Sequence, residues 1–276
     1  MSYKALMVHV DLDDGGDARV RLAAELAQRF DAALIGISAW APNPAISVDS
    51  VVPEAAPDLI DLPVMEDLLK TRGDAFRALV GEDIREVEWR SAIELPTELV
   101  VREARSADLL IVGGTRHPVL RDPYRSVDPG AVLLRAGRPL LIVPAGVTSL
   151  AAKRIAVAWK DTREARRTVV DALPLLRRAE EVVVAEFCSS AEKAPARQRV
   201  KEVVQFLARH GISTARDQVR PIDTTVANSL LQLARAESTD LVVAGGYGHT
   251  RLGEWIFGGV THDLLVNGSL CCLLSH

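Results

Sequence analysis

Thr239-Asp240-Leu241-Val242-Val243-Ala244-Gly245-Gly246 is the stretch on which the fold is read, because the chain carries it twice. A short apolar run closed by two glycines reads as a strand buried on both faces, as in the middle of a parallel sheet. Its counterpart is Ala107-Asp108-Leu109-Leu110-Ile111-Val112-Gly113-Gly114, at an offset of 132 positions (113 to 245). The same offset carries Leu140-Leu141-Ile142-Val143 onto Cys272-Leu273-Leu274-Ser275 without a gap. At a slightly larger offset, Ala5-Leu6-Met7-Val8-His9-Val10-Asp11 matches Arg154-Ile155-Ala156-Val157-Ala158-Trp159-Lys160. Self-similarity on this scale means two copies of one folding unit. The expected division is 1–146 and 152–276, with the join marked by Pro144, Gly146 and Ser149.

Outward from these anchors, strands alternate with helices. In the first copy the pattern predicts strands over 5–10, 33–38, 85–89, 108–112 and 139–143. Helices are expected over 17–30, where Val20, Ala23, Ala24 and Ala27 share a face, over 64–80, and over 96–105 with Pro96 in the first turn. Residues 40–63, rich in proline and acid, read as a loop or an irregular insertion. The second copy repeats the order, with strands over 154–159, 181–187, 215–220, 240–244 and 271–275. Its helices are expected over 163–178, 197–210 and 225–236, with a short one after Gly259. The fold class is therefore α/β: two tandem doubly wound domains, each a five-stranded, mostly parallel sheet flanked by helices. If the fourth strand of each copy returns to the far side of the first, a ligand crevice opens between their carboxyl ends.

In the second copy that crevice would meet a glycine loop running from Ala244 to Val260 into a helix start. Such a loop presents free N–H groups and the positive end of a helix dipole, which suits phosphate. Its spacing, Gly245-x2-Gly248-x9-Gly258, resembles the nucleotide-binding signature of the universal stress protein family, Gly-x2-Gly-x9-Gly-Ser/Thr. The resemblance extends to both copies, and it implies a fold like that of the adenine-nucleotide α-hydrolases. It implies ATP or another adenine nucleotide as ligand, with Mg2+ where ATP is bound. It places Ala158, Ala244, Gly245, Gly248, Gly258, Gly259 and Val260 along the nucleotide. It also implies that the two fifth strands pair, so that one chain forms an intramolecular pseudo-dimer, and it makes a homodimer of whole chains a further expectation.

Two positions depart from the family pattern. Gly259 stands where a Ser or Thr is usual, which removes a side-chain donor and leaves the backbone N–H. Lys160 stands where an aspartate usually meets the nucleoside. Lys160 reads either as a phosphate or acid contact or as a solvated strand-end lysine. Arg251 can fork onto phosphate oxygens, the alternative being a solvent-facing side chain. In the first copy, Arg116 replaces Gly248 and Ser126 replaces Gly258, while Pro118, Pro123 and Pro129 stiffen the loop and remove donors. That copy reads as a partner without nucleotide.

Composition narrows the function classes. The 276 residues are 48% hydrophobic and 25% charged, an ordinary globular balance. A net charge of −4 argues against nucleic acid or an anionic membrane as partner. No apolar stretch is long enough to span a bilayer, and Met1-Ser2-Tyr3-Lys4 leads straight into a strand without the pattern of a secretion signal. The expected location is the cytoplasm. Cys188, Cys271 and Cys272 do not make a disulfide framework, and the adjacent pair reads as core. Asp11, Asp13, Asp14 and Asp17 read as a cation site or as turn and helix-start acids. Gly-x-Ser-x-Gly, His-Glu-x-x-His, Cys-x-x-Cys and Walker patterns do not occur. The expectation is a binding or regulatory module and not an enzyme, with weak ATPase activity as a lesser alternative. A second alternative is a protein of the same fold that binds no nucleotide and acts through protein contacts.

Overall fold

A computed structural model describes residues 2–12, 16–42, 62–114, 122–222, 225–246 and 270–276. The first half runs β1 (Ala5–His9), α1 (Asp17–Phe30), β2 (Ala33–Ala39), α2 (Leu62–Val80), β3 (Val87–Ala92), α3 (Pro96–Glu103), β4 (Leu109–Gly113), α4 (Pro129–Arg135) and β5 (Leu140–Val143). The second runs β6 (Arg154–Trp159), α5 (Arg163–Asp171), α6 (Leu173–Leu176), β7 (Glu181–Cys188), α7 (Lys193–Arg209), β8 (Ala215–Pro221), α8 (Val226–Ala236), β9 (Leu241–Gly245) and β10 (Cys271–Ser275).

All ten strands form one sheet in the order β3-β2-β1-β4-β5-β10-β9-β6-β7-β8. Every neighbouring pair is parallel except β5 and β10, which run antiparallel with Ile142 opposite Cys272, Leu141 opposite Leu273 and Leu140 opposite Leu274. The two halves are thus related by a pseudo-twofold at their fifth strands, as the family resemblance implies. Both strands are buried throughout, so neither is left as a bare apolar edge. The true edges, β3 and β8, are half exposed and carry charge at Glu88, Arg90, Arg216, Asp217 and Arg220.

Alternation along the strands separates two cores. Leu6, Val8, Leu109, Ile111, Ile155, Val157, Leu241 and Val243 face the helices α1, α2, α5 and α7. Met7, Leu110, Val112, Ala156, Val242 and Ala244 face the layer of α3, α4 and α8. The repeat extends to a clamp in which one aspartate ties the start of each half's first strand. Asp108 accepts from Lys4 N (2.7 Å) and Ala5 N (3.1 Å). Asp240, its partner at the repeat offset, accepts from Lys153 N (2.9 Å) and Arg154 N (3.1 Å).

Four details differ from the sequence reading. The helix expected over 163–178 is broken into α5 and α6, because Pro174 has no N–H to donate to the carbonyl four residues back. Helix α7 starts at Lys193, four residues before the expected start, with Pro195 in the first turn where no donor is required. Strand β3 lies over Val87–Ala92, since its register follows β2 from Leu34 opposite Val87 to Ala39 opposite Ala92. Pro129, read as a loop stiffener, is the first residue of α4, whose N-cap Asp128 accepts from Gly130 N (2.9 Å) and Ala131 N (3.3 Å). Among the described residues, no helix is long and apolar enough to cross a membrane.

Candidate functional site

In each half the strand order reverses between the first and fourth strands, so a switch point lies beyond β1 and β4 and another beyond β6 and β9. In the second half, Ala158 and Ala244 are directly paired in the β6–β9 register. Both face the α8 layer, Ala244 buried and Ala158 half-buried. Two methyl groups side by side at the end of a sheet make a shallow apolar floor. Lys160 follows β6, is exposed, and its carbonyl accepts from Thr162 N (2.7 Å). Thr162 then caps α5 by accepting from Ala165 N (3.3 Å).

The opposite side of this switch point is closed by backbone. A Cβ placed on Gly245 would lie 2.6 Å from Ala165 N and 2.9 Å from the Glu164 carbonyl carbon. Gly245 is therefore required for the first turn of α5 to lie on the end of β9. Gly246 turns to the other face, where a Cβ would lie 2.6 Å from Leu133 Cδ2 of α4 in the first half. Its N–H donates to Ser275 O (2.9 Å), holding the chain against β10 as it leaves β9. Glu164 is buried beside this turn and accepts from Arg163 Nε (2.5 Å). Burial pushes the Glu164 carboxyl up, but the bonds from Arg163, from its own backbone N–H and from Thr162 outweigh this and hold it below the usual carboxylate range.

The first half carries different side chains at the same points. His9 stands at the match of Ala158 and Val112 at the match of Ala244, so an imidazole and an isopropyl group replace the two methyls. Arg19, the third residue of α1, is buried, and its Nε donates to His9 O (3.0 Å) while Nη2 donates to Asp11 Oδ2 (2.7 Å). His9 Nδ1 lies 3.3 Å from Asp11 Oδ1. Burial alone would raise the Asp11 carboxyl; the Arg19 guanidinium and the His9 contact overcome it and hold Asp11 far below the usual range. A Cβ on Gly113 would overlap Arg19 Nη1 outright. The glycines at the ends of β4 and β9 thus both stand at close approaches, one to a guanidinium and the other to a helix backbone.

Of the residues proposed from sequence, the structure brings Ala158, Lys160, Ala244 and Gly245 to one switch point. Gly248, Arg251, Gly258, Gly259 and Val260 lie outside the described residues, as do Asp13 and Asp14. Trp159 is the last residue of β6, as the sequence pattern predicts, and is buried on the α5 and α7 side, facing away from Ala158. Asp11 is engaged by Arg19, and Asp17 is a first-turn acid of α1. No group of three or more potential metal ligands occurs among the described residues. The Arg19 cluster was missed, although the sequence holds its signal. Arg19 sits three, four and seven positions before Leu22, Ala23 and Leu26, so it lies on the buried stripe of α1, where a charge needs a partner. Glu186 is a similar case: a carboxylate in the apolar strand β7, buried and paired with Arg199 of α7.

Comparison with known proteins agrees with this architecture. A universal stress protein from Archaeoglobus fulgidus superposes with a TM-score of 0.75 at 11% identity, over 98% of this chain and 95% of that one. A protein of unknown function from Pseudomonas aeruginosa superposes with a TM-score of 0.61 at 15% identity, over 99% and 92% of the two chains. At such identities the likeness is one of fold. No curated protein matches the chain. The sequence description of the universal stress protein family matches residues 2–144, the half that lacks the glycine spacing. That match takes in just over half of the 276 residues, and the protein belongs to the universal stress protein family.

Proposed function

We propose that the protein is a stress-response regulatory module that binds one adenine nucleotide, ATP foremost, in the crevice of its second half. The observation that carries this reading is the paired Ala158 and Ala244 floor at the β6–β9 switch point, directly before the Gly-x2-Gly-x9-Gly spacing. A flat base needs an apolar surface free of bulky side chains. The glycine loop would supply N–H donors for the phosphates, with Arg251 as a charged donor and Mg2+ accompanying ATP. Lys160, exposed at the end of β6, is close enough in sequence to take part as a cationic contact. The protein acts by binding and not by catalysis, in the cytoplasm, with residues 1–146 and 152–276 as its two domains and without nucleic acid or membrane as partner.

Lys160 in place of an aspartate and Gly259 in place of a hydroxyl residue favour a second reading, in which the same fold acts through protein contacts, including a homodimer, without nucleotide. Native mass spectrometry of the purified protein, followed by calorimetric titration with ATP and AMP, separates the two. One copurifying or titratable adenine nucleotide per chain is the expected result. No heat and no adduct with any adenine nucleotide would leave the second reading standing.

A further inference from the structure

The first crevice contains a group for which the fold makes specific room. Arg19 is buried although it carries a permanent charge. Such a charge is tolerated inside a protein only where it is paired and hydrogen-bonded. The sheet end supplies both, through the His9 carbonyl and the Asp11 carboxylate, and the missing Cβ of Gly113 leaves the space for Nη1. The third residue of the matching helix is Ala165, and there the helix backbone itself rests on Gly245. On the other face of the sheet end, His9 and Val112 stand where the second half has the methyl groups of Ala158 and Ala244.

We infer that Arg19 is a resident ligand: its guanidinium occupies a seat, built from His9 O, Asp11 and Gly113, that would otherwise take a small cation from solution. The seat is selective for a small planar cation, because it offers a carbonyl, a carboxylate and a flat gap over a glycine. The matching place in the second half is taken by the backbone of Ala165 over Gly245, so this seat belongs to the first half and is independent of the proposed function.

Two measurements on the full chain test the seat, and neither uses nucleotide. In Arg19→Ala the side chain is removed and the seat is left anionic. Thermal unfolding should fall below wild type, and low millimolar guanidinium chloride should restore part of the loss, whereas sodium chloride at equal ionic strength should not. Wild type should gain nothing from either salt. In the second measurement, Gly113→Ala is made with and without Arg19. It should lower the melting temperature when Arg19 is present and have little effect in the Arg19→Ala background, since the overlap is with Arg19 alone. If Arg19→Ala does not fold, Arg19→Met keeps the stem without the fork and replaces it in the Gly113→Ala cycle. Equal responses to the two salts, or a Gly113→Ala loss of the same size in both backgrounds, would overturn the inference. A protein that passes these tests and binds no nucleotide would keep the seat and lose only the proposed function.

Discussion

At the carboxyl end of β1 a guanidinium is bound by a carbonyl and a carboxylate, beside an imidazole and an isopropyl group. At the same point of β6 two methyl groups lie next to each other and the following lysine is exposed. The backbones that carry these groups are copies, down to the aspartate clamps at Asp108 and Asp240. Duplication preserved what the sheet requires, namely register, short buried strands and a glycine at the end of the fourth strand. It left the chemistry at the switch point free to diverge, because the ladder is made by backbone groups whatever side chains the strand ends carry.

The largest effect should come from separating the halves. Expressed apart, residues 1–146 and 152–276 would each present a fully buried strand, β5 or β10, as a bare edge. Each should be insoluble alone or associate with the other in a one-to-one complex, as seen by size-exclusion chromatography with light scattering. Two monodisperse monomers without mutual affinity would mean that the β5–β10 pairing is dispensable.

A second experiment converts one crevice toward the other. Ala158→His places in β6 the side chain that β1 carries at His9. It should weaken ATP binding by at least about tenfold, ~1.4 kcal/mol, in calorimetry, with far-ultraviolet circular dichroism unchanged. Unaltered affinity would show that the floor is not where the base lies.

Gly245→Ala probes the other face. Its Cβ meets backbone at Ala165, which cannot rotate away, so the variant should lose about 1–3 kcal/mol of stability in urea unfolding. A neutral outcome would mean that α5 can shift off β9, and that the glycine is there for another reason.

The smallest effect is one of pH, and it tests the occupied crevice. The folded Asp11 carboxyl titrates below its unfolded value of about 3.9. Its contribution is therefore complete above that value and is lost as pH falls below it toward the folded value. The groups facing Asp11 are Arg19, which stays charged, and His9. The stability gap between wild type and Asp11→Asn should narrow as pH falls below ~4. A gap that stays constant or widens over that range would place the carboxylate elsewhere.

Much of the molecule was legible in the residues alone. The doubled Asp-Leu start of the fourth strands located both halves, and apolar runs placed the buried strands, because burial on both faces leaves little freedom of composition; the half-exposed edge β3 was the one whose bounds shifted most. The helix ends were less legible. Pro174 was available in the sequence as a breaker, and Pro129 as a helix start, but a proline means either thing depending on what its neighbours cap. The glycines showed where something comes close without showing what comes.

Sequence by itself determined the α/β class, the repeat and the strand at each end of it, since these follow from local hydrophobic period and self-similarity. Tertiary structure alone decided the rest. It joined β5 to β10 in one sheet, a choice between edges that no local pattern specifies. It brought Arg19 to Asp11 across a turn and laid Arg19 against Gly113, almost a hundred residues further along the chain. A buried charge declares that it needs a partner, but only the packing of helix on sheet determines which partner it finds.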